Sequence, residues 1–200
     1  MTVRTATIAD IVWPSRPQAR IFRAAALMLL GVCLLTLSAK IQIPFWPVPM
    51  TMQTLVVLVI GMAYGWRLGA ATVLAYLAAG AAGLPVFAGT PARGIGVAYM
   101  MGPTGGFLLG FLISAAAVGF LGERGWDRSV PRTAVAMVLG QAIITLAGVA
   151  WLAVLFNLPK AIEVGFKPFL AASLLKVALG IVLMPTIWKL LDRNPTSRAN

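Results

Sequence analysis

The chain contains no histidine, and its single cysteine is Cys33. Imidazole and thiolate carry most metal, general-base and thiol chemistry, so these two gaps remove much of what an enzyme would use. A lone cysteine inside an apolar run cannot close an intrachain disulfide and reads as a small packing residue. Acid is scarce too: the five carboxylates are Asp10, Glu123, Asp127, Glu163 and Asp192, and none falls inside a long apolar run. Also absent are a Gly-x-x-x-x-Gly-Lys-Ser/Thr phosphate loop, a fixed-period repeat and a low-complexity linker. Any ATP-driven step must therefore borrow its ATPase. Charged residues of all kinds make up only 10% of the 200 positions.

Apolar surface takes their place. At 60% hydrophobic residues the composition lies far from that of a soluble domain. Apolar runs bounded by charge, glycine and proline lie near 21–39, 50–65, 67–83, 104–122, 133–156 and 167–191. A membrane-crossing helix needs about 20 apolar residues. The expectation is an all-α integral membrane protein: six transmembrane helices in one domain over 21–191, with polar tails at 1–20 and 192–200. The second and third runs are short for a crossing, and only Gly65, Trp66 and Arg67 separate them, so a tight hairpin and a single bent segment both stand. The first run continues at spanning length beyond any signal-peptide core, so it is expected to be retained.

The net charge of +11 is explained by where the bases lie. Six crossings put Arg4, Arg16, Arg20, Arg23, Arg67, Arg124, Arg128, Arg132, Lys189, Arg193 and Arg198 on one side, against Lys40, Arg93, Lys160 and Lys167 on the other. The positive-inside rule then places both termini in the cytoplasm. Basic helix ends pair with anionic headgroups of the lipid bilayer, and no nucleic acid is needed as a partner.

Three features lie toward the outer side. In Ile43–Gln53, Pro44, Pro47 and Pro49 stiffen the chain and set the angle at which it enters the next helix. Gln53 starts that helix, either as part of a rigid turn or as a hydrogen-bonding ligand contact. The connection from Gly83 to Gly106 is apolar but broken by glycine and proline, and irregular backbone at membrane depth needs burial or a hydrated cavity. A lid over a cavity suits it: Phe87 and Tyr99 offer flat faces, Gly89 permits close backbone approach, and Arg93 either meets an anionic group or anchors at headgroups. Gly102, Gly106, Gly110 and Ser114 then recur every fourth residue, a small-residue stripe for close helix packing, with lining of the pocket mouth by Thr104 and the glycines before the helix as the alternative reading. The third feature is Lys176, nine residues into the run that follows Lys167 and so about 13 Å along it. A charge at that depth costs about 2.5–3.5 kcal/mol and must face a cavity or a partner. Ser173 shares its helical face. An anionic or carbonyl-bearing ligand, snorkelling, and a bond to a backbone carbonyl are the competing readings of Lys176.

At these same segments the chain resembles the BioY family, the biotin-binding S components of energy-coupling-factor (ECF) transporters. The resemblance rests on Val48-Pro49-Met50-Thr51-Met52-Gln53-Thr54-Leu55, Gly83-Leu84-Pro85-Val86-Phe87-Ala88-Gly89, Gly102-Pro103-Thr104-Gly105-Gly106-Phe107-Leu108-Leu109-Gly110-Phe111, Pro168-Phe169-Leu170 and Leu174-Leu175-Lys176. It implies a six-helix S-component-like bundle in a bacterial inner (cell) membrane and an outward-opening vitamin pocket. It also implies biotin as the transported ligand with no cofactor, and as partners an ECF transmembrane coupling subunit and two ABC ATPases, which alone use ATP. Residue by residue, it implies ligand contacts from Lys176, Ser173, Arg93, Gln53, Phe87, Gly89, Tyr99 and Thr104, with Arg93 or Lys176 toward the carboxylate or the ureido oxygen. Two departures stand out. The family's sixth helix reads Asp-Leu-Leu-Lys where this chain has Ser173-Leu174-Leu175-Lys176, and the family's Ala-x-x-x-Ala docking pattern is replaced by Ala24-Ala25-Ala26 with Met28, Leu29 and Leu30 four residues on. The rival readings are an intramembrane enzyme acting on a lipid-like substrate and a small channel-like protein.

Overall fold

The computed structural model describes residues 5–14, 19–44 and 46–193. Arg4, Arg16, Pro17, Phe45 and Arg198 lie outside the described residues, as does 194–200 of the expected C-terminal tail.

Helices occupy all six apolar runs: α2 (Arg20–Lys40), α3 (Gln53–Tyr64), α4 (Trp66–Ala81), α6 (Gly105–Gly122), α7 (Val130–Leu155) and α9 (Phe169–Arg193). Short helices α1 (Ile8–Val12), α5 (Gly96–Met100) and α8 (Leu158–Gly165) join them, with a two-strand ladder pairing β1 (Gln42–Ile43) antiparallel to β2 (Met50–Thr51). Four helices, α2, α6, α7 and α9, are long and apolar enough to cross a membrane. The 12 residues of α3 and 16 of α4 rise about 18 and 24 Å, less than the roughly 30 Å hydrocarbon core. Large apolar side chains face outward on these helices: Val154 is 79% exposed, Leu146 69% and Val182 66%. In water such faces would aggregate, and in a bilayer they meet lipid.

The α3–α4 junction is a hairpin. Gly65 takes φ +82°, in the left-handed region where a side chain is strained, and the Glu123 side chain packs against its Cα. A Cβ on Gly69 would lie 2.9 Å from the Gly61 Cα, so the two helices fold back in near contact. The core element is α6, which packs on α3, α4 and α7. Its stripe of small residues faces α7 as the spacing predicts: Gly106 lies against Trp151 and Ala147, Gly110 against Ile144, and Ser114 Oγ donates to Gly140 O at 3.0 Å.

Helix also forms outside the six apolar runs. In the stretch expected as a tail, the Thr7 hydroxyl caps α1 by accepting from Asp10 N, and Ile8 and Ala9 are buried. Burial alone would raise the Asp10 pKa, but hydrogen bonds from Thr7 and from the Arg23 guanidinium (3.0 Å) outweigh it and hold the carboxyl below its ordinary value. Between α7 and α9, Asn157 caps α8 by accepting from Lys160 N at 2.9 Å, and Ala161, Val164 and Gly165 are buried.

Candidate ligand-binding site

The starts of α3, α6 and α9 and the middle of α7 converge at one end of the bundle. The connections 46–52 and 82–104 cover them. Beneath lies a cavity of about 50 Å³. Its walls are apolar on the α6 side, from Phe107, Leu108 and Phe111, and polar on the α3, α7 and α9 side, from Thr51, Thr54, Gln141, Thr145, Ser173 and Lys176. Such a volume holds only a few water molecules, so any organic ligand requires the cover to move.

Lys176 sets the electrostatics. It is 6% exposed, and its ammonium donates to Thr51 O at 2.8 Å and to Thr54 Oγ1 at 3.0 Å. Both acceptors are neutral, and no carboxylate lies within ion-pair distance of it among the described residues. The charge is thus solvated by the entry to α3 but not neutralised. One turn away, Ser173 Oγ accepts from Gln141 Nε2 at 3.2 Å, and Gln141 Nε2 also donates to Thr145 Oγ1 at 3.2 Å. Gln141 Oε1 is buried with no hydrogen-bond partner among the described residues. A buried lone amide oxygen is costly, and a ligand N–H would satisfy it.

Aromatic rings form the lid. Phe87 stacks on Tyr99, with centroids 4.9 Å apart and planes 17° from parallel, and meets Tyr76 edge-on at 5.4 Å. Tyr99 OH donates to Ala88 O at 2.8 Å, and burial pushes its phenol above the ordinary value, so it stays a donor. Gln53, 4% exposed, donates to Tyr76 OH at 2.7 Å, and that hydroxyl donates to Val86 O at 3.1 Å. Gln53 therefore touches the cavity and also anchors the lid's first strand of chain.

Three further side chains fasten the cover from outside. Lys40 at the end of α2 donates to Phe87 O at 3.0 Å, Thr90 Oγ1 at 3.1 Å and Thr90 O at 3.3 Å. Trp151 Nε1 donates to Gly102 O at 3.0 Å. Arg93 Nη1 donates to Pro47 O at 3.4 Å and so ties the two covering connections together.

Of the eight residues proposed from sequence, Lys176, Ser173, Gln53, Phe87, Tyr99 and Thr104 line the cavity, and Thr104 does so from the first turn of α6. Arg93 and Gly89 do not. Gly89 has φ +73°, and the Arg93 side chain lies across it, so this pair shapes the outer side of the lid. Gln141, Thr145, Thr51, Thr54 and Phe169 line the cavity but were not singled out. Gln141 and Thr145 had a readable signal, being polar residues four apart in an otherwise apolar run, which places them on one face of α7.

A model of the BioY family matches residues 9–193. The biotin transporter BioY of Thermotoga maritima is 35% identical over 158 residues, which cover 78% of this chain and 90% of that one. The biotin transporter BioY of Rhizobium etli is 35% identical over 169 residues, 80% of this chain and 86% of the relative. Among solved structures, the S-component for biotin from an ECF-type ABC transporter shares the fold, with a TM-score of 0.74 at 22% identity over 88% of this chain and 95% of the other. With the family pattern running from α1 to the end of α9 on the fold of a solved S-component, the chain belongs to the BioY family.

Proposed function

We propose that this protein captures biotin on the outer side of a bacterial cell membrane and carries it inward as the S component of an ECF-type transporter. Membership of a family of transporters sets aside the lipid enzyme and the channel. In this reading the helices of all six apolar runs cross the bilayer as one domain over 21–191, α3 and α4 as a short hairpin, both termini are cytoplasmic, and the cavity end faces outward. A coupling subunit and two ABC ATPases supply the energy.

The observation that carries the ligand assignment is that one cavity is lined by a buried Lys176 with no counter-charge and by Gln141, whose Oε1 has no partner, among the described residues. Biotin presents matching groups: carbonyl and carboxylate oxygens for the ammonium, ureido N–H groups for the amide oxygen, and an apolar bicycle for Phe87, Phe107 and Tyr99. Ser173 contributes a hydroxyl whose oxygen is already engaged by Gln141, leaving its O–H to donate. Entry requires the Lys40 and Arg93 fastenings to open, and their re-formation closes the lid over bound vitamin. Arg93 and Gly89 act in this reading through the lid. The test is uptake of labelled biotin by a bacterial strain that neither makes nor imports it, with and without a coupling module. Saturable uptake abolished by Lys176→Met supports the assignment, and uptake no greater than in empty cells overturns it.

A further inference from the structure

The opposite end of the bundle carries a second cavity. It measures about 660 Å³ and is open at one side, between the first turns of α2 and α4, the last turn of α3, and Asp10 and Pro14. Three guanidinium groups line it, Arg20, Arg23 and Arg67, with the Tyr64 phenol and a single carboxylate, Asp10. Asp10 is committed elsewhere: one oxygen accepts from Arg23 Nη2 at 3.0 Å, and the other accepts from Thr7 N at 3.2 Å and Thr7 Oγ1 at 2.9 Å. One carboxylate against three guanidiniums leaves two positive charges at the cavity without a counter-charge among the described residues lining it. Arg23 Nε is a second sign of an incomplete site, a buried N–H with no hydrogen-bond partner among the described residues.

The apolar surroundings narrow the ligand class. Ile21, beside Arg20 on α2, is 85% exposed. Trp66, beside Arg67, is also exposed, and the Arg67 guanidinium lies 5.1 Å over its ring. Exposed tryptophan and arginine side by side at a helix end are the signature of the membrane interface. A free anion would use the guanidiniums alone, whereas a phospholipid uses both the basic cavity and the apolar flank. Guanidinium forks match phosphate oxygens in geometry as well as charge.

The geometry points to a site for the phosphodiester headgroup of an anionic phospholipid, held by Arg20, Arg23 and Arg67 with its acyl chains along Ile21 and Trp66. This rests on the chain lying in a membrane and is independent of what occupies the other cavity.

Native mass spectrometry of the detergent-purified full chain tests it, titrating phosphatidylglycerol, phosphatidylcholine and inorganic phosphate in turn. The parent is expected to retain one phosphatidylglycerol per chain in preference to phosphatidylcholine. Each basic residue at an anionic lipid surface contributes about fivefold, so Arg20→Gln with Arg67→Gln is expected to weaken that binding about thirtyfold. A control pair that removes equal charge away from the cavity, Arg124→Gln with Lys189→Gln, is expected to leave it within twofold. The biotin titration of the Arg20/Arg67 variant reports whether the chain is still folded, and where the parent binds no biotin the melting temperature serves instead. Equal losses in both pairs, unchanged binding in the Arg20/Arg67 variant, or displacement of the lipid by inorganic phosphate at comparable concentration would overturn the proposal.

Discussion

Replacing Lys176 by methionine separates a ligand contact from a structural lysine. The side chain keeps nearly its length and loses its charge and its donors. For the protein alone, two effects oppose each other. Removing a charge from this depth recovers about 2.5–3.5 kcal/mol on insertion scales. Losing the bonds to Thr51 O and Thr54 Oγ1 forfeits about 1.5–3 kcal/mol for each charge-assisted bond. The two cancel only in part, the lost bonds outweighing the recovered cost by about 1.5 kcal/mol at mid-range, so the melting temperature is expected to fall by about 3–6 °C. For the complex no such cancellation exists, because a ligand oxygen is left in a dry cavity without its donor. The same 1.5–3 kcal/mol then appears as a roughly 10- to 150-fold rise in Kd for biotin, read by calorimetry. Titrating both proteins with biotin methyl ester closes a thermodynamic cycle. If Lys176 meets the carboxylate, the ester costs the parent as much as the mutation does and costs Lys176→Met little more. If it meets the ureido oxygen, the two losses add. A folded Lys176→Met protein that binds biotin within twofold of the parent would refute the reasoning.

Ser173→Asp puts a carboxylate where Gln141 now donates to a hydroxyl, and a charged acceptor for ureido N–H groups is expected to tighten biotin about fivefold by calorimetry. Gln141→Leu removes the lone amide oxygen together with the Nε2 bonds to Ser173 and Thr145, so it is expected to weaken binding about tenfold and, at about 0.5–1.5 kcal/mol for each lost bond, to lower the melting temperature by a few degrees. Lys40→Met frees the lid from α2 and is expected to speed biotin release about tenfold in stopped-flow measurements, with association changed less. Asp127 lies in the turn between α6 and α7, where burial outweighs the 2.6 Å bond from Trp188 Nε1 and raises its carboxyl pKa. A carboxyl with a raised folded-state pKa contributes stability that is complete below the ordinary carboxylate value and is lost as pH rises through the raised one. Asp127→Asn keeps an acceptor for Trp188, so its melting temperature is expected to exceed the parent's at neutral pH and to lose that part of the pH dependence.

The helices were legible because the membrane demands continuous apolar runs, and their limits in the fold fall within a few residues of the charges, glycines and prolines that bound those runs. Gly65 between two short runs encoded the hairpin, and a four-residue spacing of small side chains encoded the α6–α7 contact. Lys176 could be read because a charge inside an apolar helix is too costly to lack a purpose. For Arg93 and Gly89 the pocket reading rests on the loop's composition and on the family resemblance, and neither reports which way the loop turns. Which side of a loop faces inward is settled by distant partners, here Lys40, Trp151 and Pro47, and no local pattern reports them. The helix α1 escaped notice because it is only five residues long and is held by one capping box and one ion pair to α2. Gln141 was overlooked for a different reason: a neutral amide in an apolar helix is affordable, so it stands out less than a charge although it reaches the same cavity.

The most direct measurement is a calorimetric titration of biotin into the purified parent protein, prepared free of biotin and shown to be folded by its helical circular dichroism. The account predicts saturable binding of one biotin per chain and no heat beyond dilution from a vitamin of unrelated shape such as thiamine. A folded protein that gives no biotin isotherm, or that binds both vitamins alike, would contradict it.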